Sequence, residues 1–340
     1  MSGYFCIQWH ITNRCDQRCK HCYIFNTGAK VNTCDWSVQN SVLMLDSFEQ
    51  FCQKCNKRPC LSITGGDPLL HPNFWQIVEE VAERRISFSI LGNPFHIDVK
   101  KARRLVELGC WGYQMSLDGM RETHDFFRKP GSFDLTVRKF QELADCGIYT
   151  IQMATVSKRN YLEIPEVTRL VVDLGVNVST FARYCPTHDD VESNIAPREY
   201  RTFLSTMWEE YTELAKFGTK FNLKDHLWKL FLYENGLMTL EENAENIIFD
   251  GCHCGISHLT LLEDGTTFAC RRMHSPIGCI QDKSIEDLFF SEALDSYRQI
   301  DNIQKCQTCE LFCYCRGCRA VAACSNSGDY YAPDPQCWRW

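Results

Sequence analysis

From Tyr4 to about Tyr184 the chain alternates short apolar runs with longer stretches whose apolar residues recur every three or four positions. The first kind reads as buried strand and the second as amphipathic helix. Strands are predicted over 4–11, 61–64, 87–91, 113–117, 150–156 and 178–184, and helices over 38–54, 73–85, 99–108, 134–146 and 161–174. Gly109, Gly147 and Gly175 stand where three of these helices should stop, a place that suits a left-handed cap. Strand–helix alternation gives parallel strands joined by right-handed crossovers. Six such units are too few for a closed eight-stranded barrel. The stretch 196–245 reads as helices, and Trp208, Tyr211, Trp228, Phe231 and Leu232 read as packing residues rather than a cofactor box. The pattern changes near Ile247, where cysteines take over.

Composition adds three limits. The 340 residues are 44% hydrophobic and 23% charged, which allows a large core and one large domain plus a smaller one. Net charge is −7 and no basic run could track a phosphate backbone, so no nucleic-acid partner is expected. The first thirty residues show no signal peptide, and no apolar run reaches the roughly 18 residues of a membrane span, so a cytoplasmic protein is expected. The 22 cysteines are the anomaly, and eleven of them fall between Cys252 and Cys337. A long chain with a full apolar complement needs no disulfide staples. Patterned thiols in a leaderless chain read as metal ligands kept reduced.

Cys15, Cys19 and Cys22 lie in the loop after the first predicted strand, spaced CxxxCxxC and followed by Tyr23. Three thiolates can hold three irons of a [4Fe–4S] cluster and leave the fourth open, where ordinary ferredoxin sites use four cysteines. The alternative is a zinc loop, which normally shows paired CxxC or Cys/His ligands. The motif resembles that of the radical S-adenosylmethionine (SAM) enzymes. The resemblance implies that the open iron chelates SAM and that an electron from the cluster cleaves it to methionine and a 5′-deoxyadenosyl radical. It also implies the fold: an α/β chain forming a partial (β/α)6 TIM-like barrel with its reacting centre at the C-terminal ends of the strands.

Two further blocks carry the resemblance. Gly65-Gly66-Asp67-Pro68 ends the second strand and resembles the family's GGEP motif, with Asp for Glu; Gly65, Gly66 and Asp67 would then receive the SAM amino group. Read alone it is a Gly-Gly-Asp-Pro turn. Ser116-Leu117-Asp118-Gly119, His124-Asp125, Arg128 and Gly131-Ser132-Phe133 resemble a block of the SPASM-type members. There Ser116 and Arg128 would bind the methionine carboxylate or ribose of SAM, and Asp118 would order the loop. Read alone, Asp118 is a helix cap and Arg128 a surface charge. Gly92-Asn93 either leaves a polar group near the cofactor or makes a turn. Asn160 either touches adenosine or caps a helix. Arg183, closing the sixth strand, reads as a surface or salt-bridge residue.

The C-terminal cysteines run Cys252, Cys254, Cys270, then Cys306-x2-Cys309-x5-Cys315-x2-Cys318, then Cys337. They resemble the SPASM domain, with Cys315 and Cys318 one residue closer than its pattern. The resemblance implies two auxiliary [4Fe–4S] clusters, so three in all: Cys252, Cys254, Cys270 and Cys318 on one, and Cys306, Cys309, Cys315 and Cys337 on the other. Cys313 or Cys324 could replace Cys318. If Cys252 does not ligate, the first auxiliary cluster has an open site. Structural zinc is the competing reading of the CxxC pairs. The division expected is 1–190 barrel, 191–247 helical bridge and 248–340 SPASM domain. Cys185 sits just past the sixth strand, within approach of the site.

The family resemblance implies an enzyme that oxidatively modifies a ribosomally made precursor peptide, forming a thioether, carbon–carbon or carbon–oxygen cross-link. Its partners would be that peptide and a flavodoxin or ferredoxin as electron donor, with either a separate peptide-recognition protein or direct docking of the leader, since no recognition domain precedes the first strand. Sulfatase maturases carry an Asp after the cysteine that follows G-x4; Arg271 stands there instead. The ending Cys315-Arg316-Gly317-Cys318…Asp334-Pro335-x-Cys337 also resembles haem-biosynthesis members, which makes tetrapyrrole chemistry the alternative. A non-catalytic metal-binding or redox-sensing protein is the third reading.

Overall fold

The computed structural model describes residues 3–25, 33–186, 190–241 and 248–339. Six parallel strands stand in chain order: β1 (Tyr4–Thr12), β2 (Arg58–Gly65), β3 (Ser87–Leu91), β4 (Cys110–Ser116), β5 (Tyr149–Val156) and β6 (Val178–Arg183). Between them run α1 (Val38–Lys54), α2 (Phe74–Glu83), α3 (Val99–Glu107), α4 (Arg121–Phe127), α5 (Ser132–Asp145) and α6 (Ile164–Asp173). This is the α/β partial barrel that the alternating pattern and the three cysteines led us to expect. Phe5, Ile7, Trp9 and Ile11 of β1 join the helix-side core, where the Phe5 ring lies 6.2 Å from that of Phe48 and 4.9 Å from that of Phe51 on α1. The alternate residues, such as Gln8, turn to the barrel interior, as the two-residue period of a strand requires. Ser37 caps α1 by accepting from the Asn40 amide at 3.0 Å. Gly109, Gly147 and Gly175 have the positive φ foreseen for helix stops.

The sheet continues past both ends of the six. β7 (Lys220–Asn222) pairs with β6 in a stretch whose aromatic content reads as helix. It separates α7 (Pro197–Leu214) from α8 (Trp228–Glu234). At three residues it has too little alternation to be visible alone; the partner strand supplies its hydrogen bonds. On the other side β8 (His258–Leu261) runs parallel to β1, and β9 (Thr266–Phe268) and β10 (Pro276–Cys279) follow antiparallel. The cysteine-rich segment is thus bonded directly to the first strand of the barrel. The expected boundary at Ile247 lies outside the described residues. No helix among the described residues is long and apolar enough to cross a membrane.

Candidate active site

Cys15, Cys19 and Cys22 come together at the mouth of the barrel, where all three line one cavity of about 280 Å³. Gly65, Gly66, Ser116 and Arg128 line it too. Among the described residues, no group of three or more His, Cys, Asp or Glu is gathered as a site for a single metal ion. The three thiols border a volume instead. Burial pushes the Cys15 thiol up to about 12 and raises that of Cys19 against the pull of Arg128. Such thiols stay protonated until a metal displaces the proton.

The loop that carries them is held by the block after β4. Arg128 Nε donates to Asp118 Oδ2 at 2.6 Å, and its Nη1 reaches Cys19 Sγ at 3.7 Å. Asp118 Oδ1 accepts from the Thr155 amide at 2.8 Å, and the Asp118 amide donates to His124 Nδ1 at 3.2 Å. His124 Nε2 bonds Ser132 Oγ at 3.1 Å, which accepts from Gln17 Nε2 at 3.2 Å. Burial alone would raise the Asp118 carboxyl; the Arg128 guanidinium, aided by His21 and His124, holds it down at about 2. Asp125 caps α5 by accepting from the Gly131 amide at 2.7 Å and the Phe133 amide at 2.8 Å. The side chains of this block therefore tie the cysteine loop to β4 and α5. Asp118 is neither a helix cap nor at the surface, and Arg128 beside it is half-buried, with 13% of its side chain exposed.

The two glycines meet a neighbour at once. A Cβ on Gly65, whose φ is +150°, would lie 2.1 Å from the Thr12 carbonyl oxygen, and one on Gly66 would lie 2.2 Å from that of Arg14. The Gly66 and Asp67 amides donate to those same oxygens at 2.8 and 2.7 Å. The close approach they permit is to the chain leading into the cysteine loop, while their remaining surface faces the cavity. Asp67 is fully buried and sits beside the cavity rather than among its lining residues. Its Oδ1 accepts from the Leu69 amide at 3.0 Å, its Oδ2 has no partner, and burial raises its carboxyl to about 6.

Asn93 lines the cavity and its Oδ1 accepts from the Phe95 amide. Asn160 is spent on backbone: its Oδ1 accepts from Ser157, and its Nδ2 donates to Asp118 and Thr155 carbonyls. Arg183 is fully buried. Its guanidinium donates to Asp225 at 2.7 Å and to Asp334 at 2.7 and 2.8 Å, joining β6 to the C-terminal tail. Asp334 Oδ2 also accepts from the Cys318 amide at 2.7 Å.

The C-terminal thiols form two further groups. Cys306, Cys309, Cys315 and Cys337 all line one small cavity of about 20 Å³ with Leu227, Leu230 and Leu311. Cys252 and Cys254 are hydrogen-bonded to each other, Cys252 also to His226, and Cys270 interacts with Cys252, Cys254 and Cys318. Cys318 interacts with Cys185, and Cys185 with Cys324, all three being free thiols. Of the two stand-ins named from sequence, Cys324 therefore lies by Cys318. Cys185 lines the main cavity and touches this group as well. Sequence reasoning missed Lys224 and Arg272 in the cavity wall, and noticed Arg271 only as the absence of an acid. Lys224 follows the unforeseen β7, so nothing in the local sequence marked it.

Comparison with known proteins agrees with this geometry. The model of the Radical SAM superfamily matches residues 9–171. An AdoMet-dependent heme synthase of Methanosarcina barkeri is 25% identical over 97% of this chain and 95% of its own. Mycofactocin maturase MftC of Mycobacterium tuberculosis is 24% identical over 98% of this chain and 82% of its own. The structure of Streptococcus suis SuiB bound to its precursor peptide SuiA superposes with a TM-score of 0.75 at 17% identity, covering 99% of this chain and 76% of that one, a likeness of fold.

Proposed function

We propose a particular task for this chain, which belongs to the radical SAM superfamily and is an enzyme of it: the oxidative modification of a ribosomally made precursor peptide. Membership implies SAM and one [4Fe–4S] cluster, which when bound supplies the electron that cleaves SAM to a 5′-deoxyadenosyl radical. Cys15, Cys19 and Cys22 would hold that cluster, and the residues present fit it: three thiols on one cavity and an unpartnered carboxylate oxygen on Asp67 beside it. Gly65, Gly66 and Asp67 would take the amino group of SAM, and Ser116 with Arg128 its carboxylate or ribose. Cys252, Cys254, Cys270 and Cys318 would carry one auxiliary cluster, and Cys306, Cys309, Cys315 and Cys337 a second, both able to pass on the surplus electron. A flavodoxin or ferredoxin would reduce the enzyme, and a separate protein would present the peptide.

The observation that supports the peptide reading is the similarity to mycofactocin maturase MftC, which extends over 98% of this chain. The tetrapyrrole reading keeps one support of its own, the full-length similarity to an AdoMet-dependent heme synthase. Reconstituted enzyme, incubated with SAM, reductant and the peptide encoded beside its gene, is expected to yield a peptide lighter by two hydrogens. An unchanged peptide together with turnover of a porphyrin would reverse the assignment.

A further inference from the structure

The cavity wall is cationic, and the cofactor scheme uses only one of its basic residues, Arg128. Five basic residues line the cavity: Arg128, Arg183, Lys224, Arg271 and Arg272. No Asp or Glu is found among its described lining residues. Arg128 is neutralised by Asp118, and Arg183 by Asp225 and Asp334. Arg272 is engaged with Cys318 Sγ at 3.7 Å and with the Arg183 carbonyl. Lys224 and Arg271 remain. Arg271 stacks over the Tyr23 ring at 4.6 Å, and its Nε is buried without a hydrogen-bond partner. Lys224 is exposed on the cavity it lines and has no ion pair with an acid among the described residues. Two cations on the wall of one cavity that carries no acid among its described lining residues favour a ligand that brings negative charge.

We propose that Lys224 and Arg271 form a carboxylate-binding subsite for the substrate, on the wall of the cavity that the three cysteines also line. The inference rests on the cavity being the reaction site, but not on which substrate enters it. The planar fork of Arg271 can take a carboxylate through two parallel hydrogen bonds, its ring contact with Tyr23 fixing the plane, and Lys224 adds a point charge. A peptide would offer a C-terminal or side-chain carboxylate, and a tetrapyrrole an acidic side arm; the chemistry recognised is the same. Lys224 also interacts with Cys270 and Cys318, so its charge could instead balance an auxiliary cluster. Arg271 has no such second task among its described contacts, which makes it the sharper probe.

The test uses reconstituted holoenzyme with SAM bound. Four probes are titrated by fluorescence quenching: the peptide encoded beside the gene, the same peptide with every carboxylate amidated, a tetracarboxylate porphyrin, and its methyl ester. For whichever acid binds, its capped form should bind at least about tenfold more weakly to the wild type. Arg271→Gln and Lys224→Gln should each weaken the acid by roughly 10- to 100-fold, the range for one charge-assisted hydrogen bond. Arg271→Lys should recover part of the loss, while iron content and SAM affinity stay unchanged. Equal binding of acid and capped forms, or of wild type and Arg271→Gln, overturns the subsite even if the peptide is modified normally. An Arg271-dependent porphyrin acid with no peptide binding keeps the subsite and overturns the peptide reading. Loss of SAM affinity or iron in Arg271→Gln would overturn the subsite by assigning Arg271 to the cofactors, and binding of none of the probes to the wild type would overturn both readings.

Discussion

Two cavities are walled by cysteine, and they differ in volume and in the rest of their lining. The one at the barrel mouth has three thiols of the Cys15–Cys22 loop, a volume of about 280 Å³, and polar and basic side chains among its lining residues. The one in the C-terminal segment has four thiols, about 20 Å³, and leucines between them. Metal sites that do chemistry keep a position open, while sites that hold a fold together are closed by protein donors. The contrast supports the proposal of reaction at the first and of structure or electron passage at the second. One feature is shared: a guanidinium donates to one sulfur in each, Arg128 to Cys19 at 3.7 Å and Arg339 to Cys309 at 3.5 Å.

The contrast breaks most visibly by deleting one thiol from each side. Cys22→Ala is expected to lower reductive SAM cleavage by about 10³-fold or more, since the reaction's electron source is lost. Cys337→Ala should keep cleavage within about tenfold of wild type while losing about a third of the bound iron, the share of one cluster in three. Measurement of 5′-deoxyadenosine beside iron content decides it, and equal losses of cleavage in both would erase the distinction.

Next in size is the tie between the two regions. Arg183→Met leaves Asp225 and Asp334 buried without their cation, and breaking such a pair costs about 3–5 kcal/mol. Chemical denaturation of the cluster-free protein should report it.

Two buried carboxyls near the open cavity should then respond to pH with opposite sign. Asp118 is held at about 2, below its unfolded value of 3.8. Its contribution is present above that unfolded value and is lost as pH falls toward 2, so Asp118→Asn should destabilise at neutral pH by roughly 2 kcal/mol. Asp67 is raised from 3.8 to about 6, so it costs stability increasingly as pH rises through that window. Asp67→Asn should therefore stabilise the cluster-free protein above pH 6, by a few kcal/mol at most, while weakening SAM binding. Melting curves between pH 2 and 8 separate the two.

The smallest effect concerns the shared guanidinium. Arg339→Gln removes a cationic donor from Cys309 and should lower the potential of that cluster by on the order of 30–60 mV without loss of iron. A redox titration followed by EPR reads the shift.

Much of this was legible in the sequence, and what was not has physical causes. The six barrel strands and their helices announce themselves because each buries a continuous apolar face. Cys15, Cys19 and Cys22 are close in sequence, so their meeting needs only a loop. The sequence-distant group of Cys306, Cys309, Cys315 and Cys337 was reached through resemblance, and all four line one cavity. The misses are short or context-made. β7 has three residues and takes its identity from β6, and α4 is a seven-residue helix behind a Ser-Leu-Asp-Gly turn. Arg183 looked like a strand-end surface charge because its partners, Asp225 and Asp334, are 42 and 151 residues away. Lys224 carries no local signal at all, since its place in the cavity is set by how β7 docks.

The docking of His258–Leu261 onto Cys6–Trp9 has a practical consequence. The residues that match a recurrent family span 9–171, yet that span cannot be carved out as a free-standing protein. Cut before residue 258, the molecule would present β1 with a row of unanswered amides and carbonyls, a ready template for another copy to stick to. Any shortened version made for crystallisation or engineering needs a surrogate strand in that slot, or it will be found in the pellet.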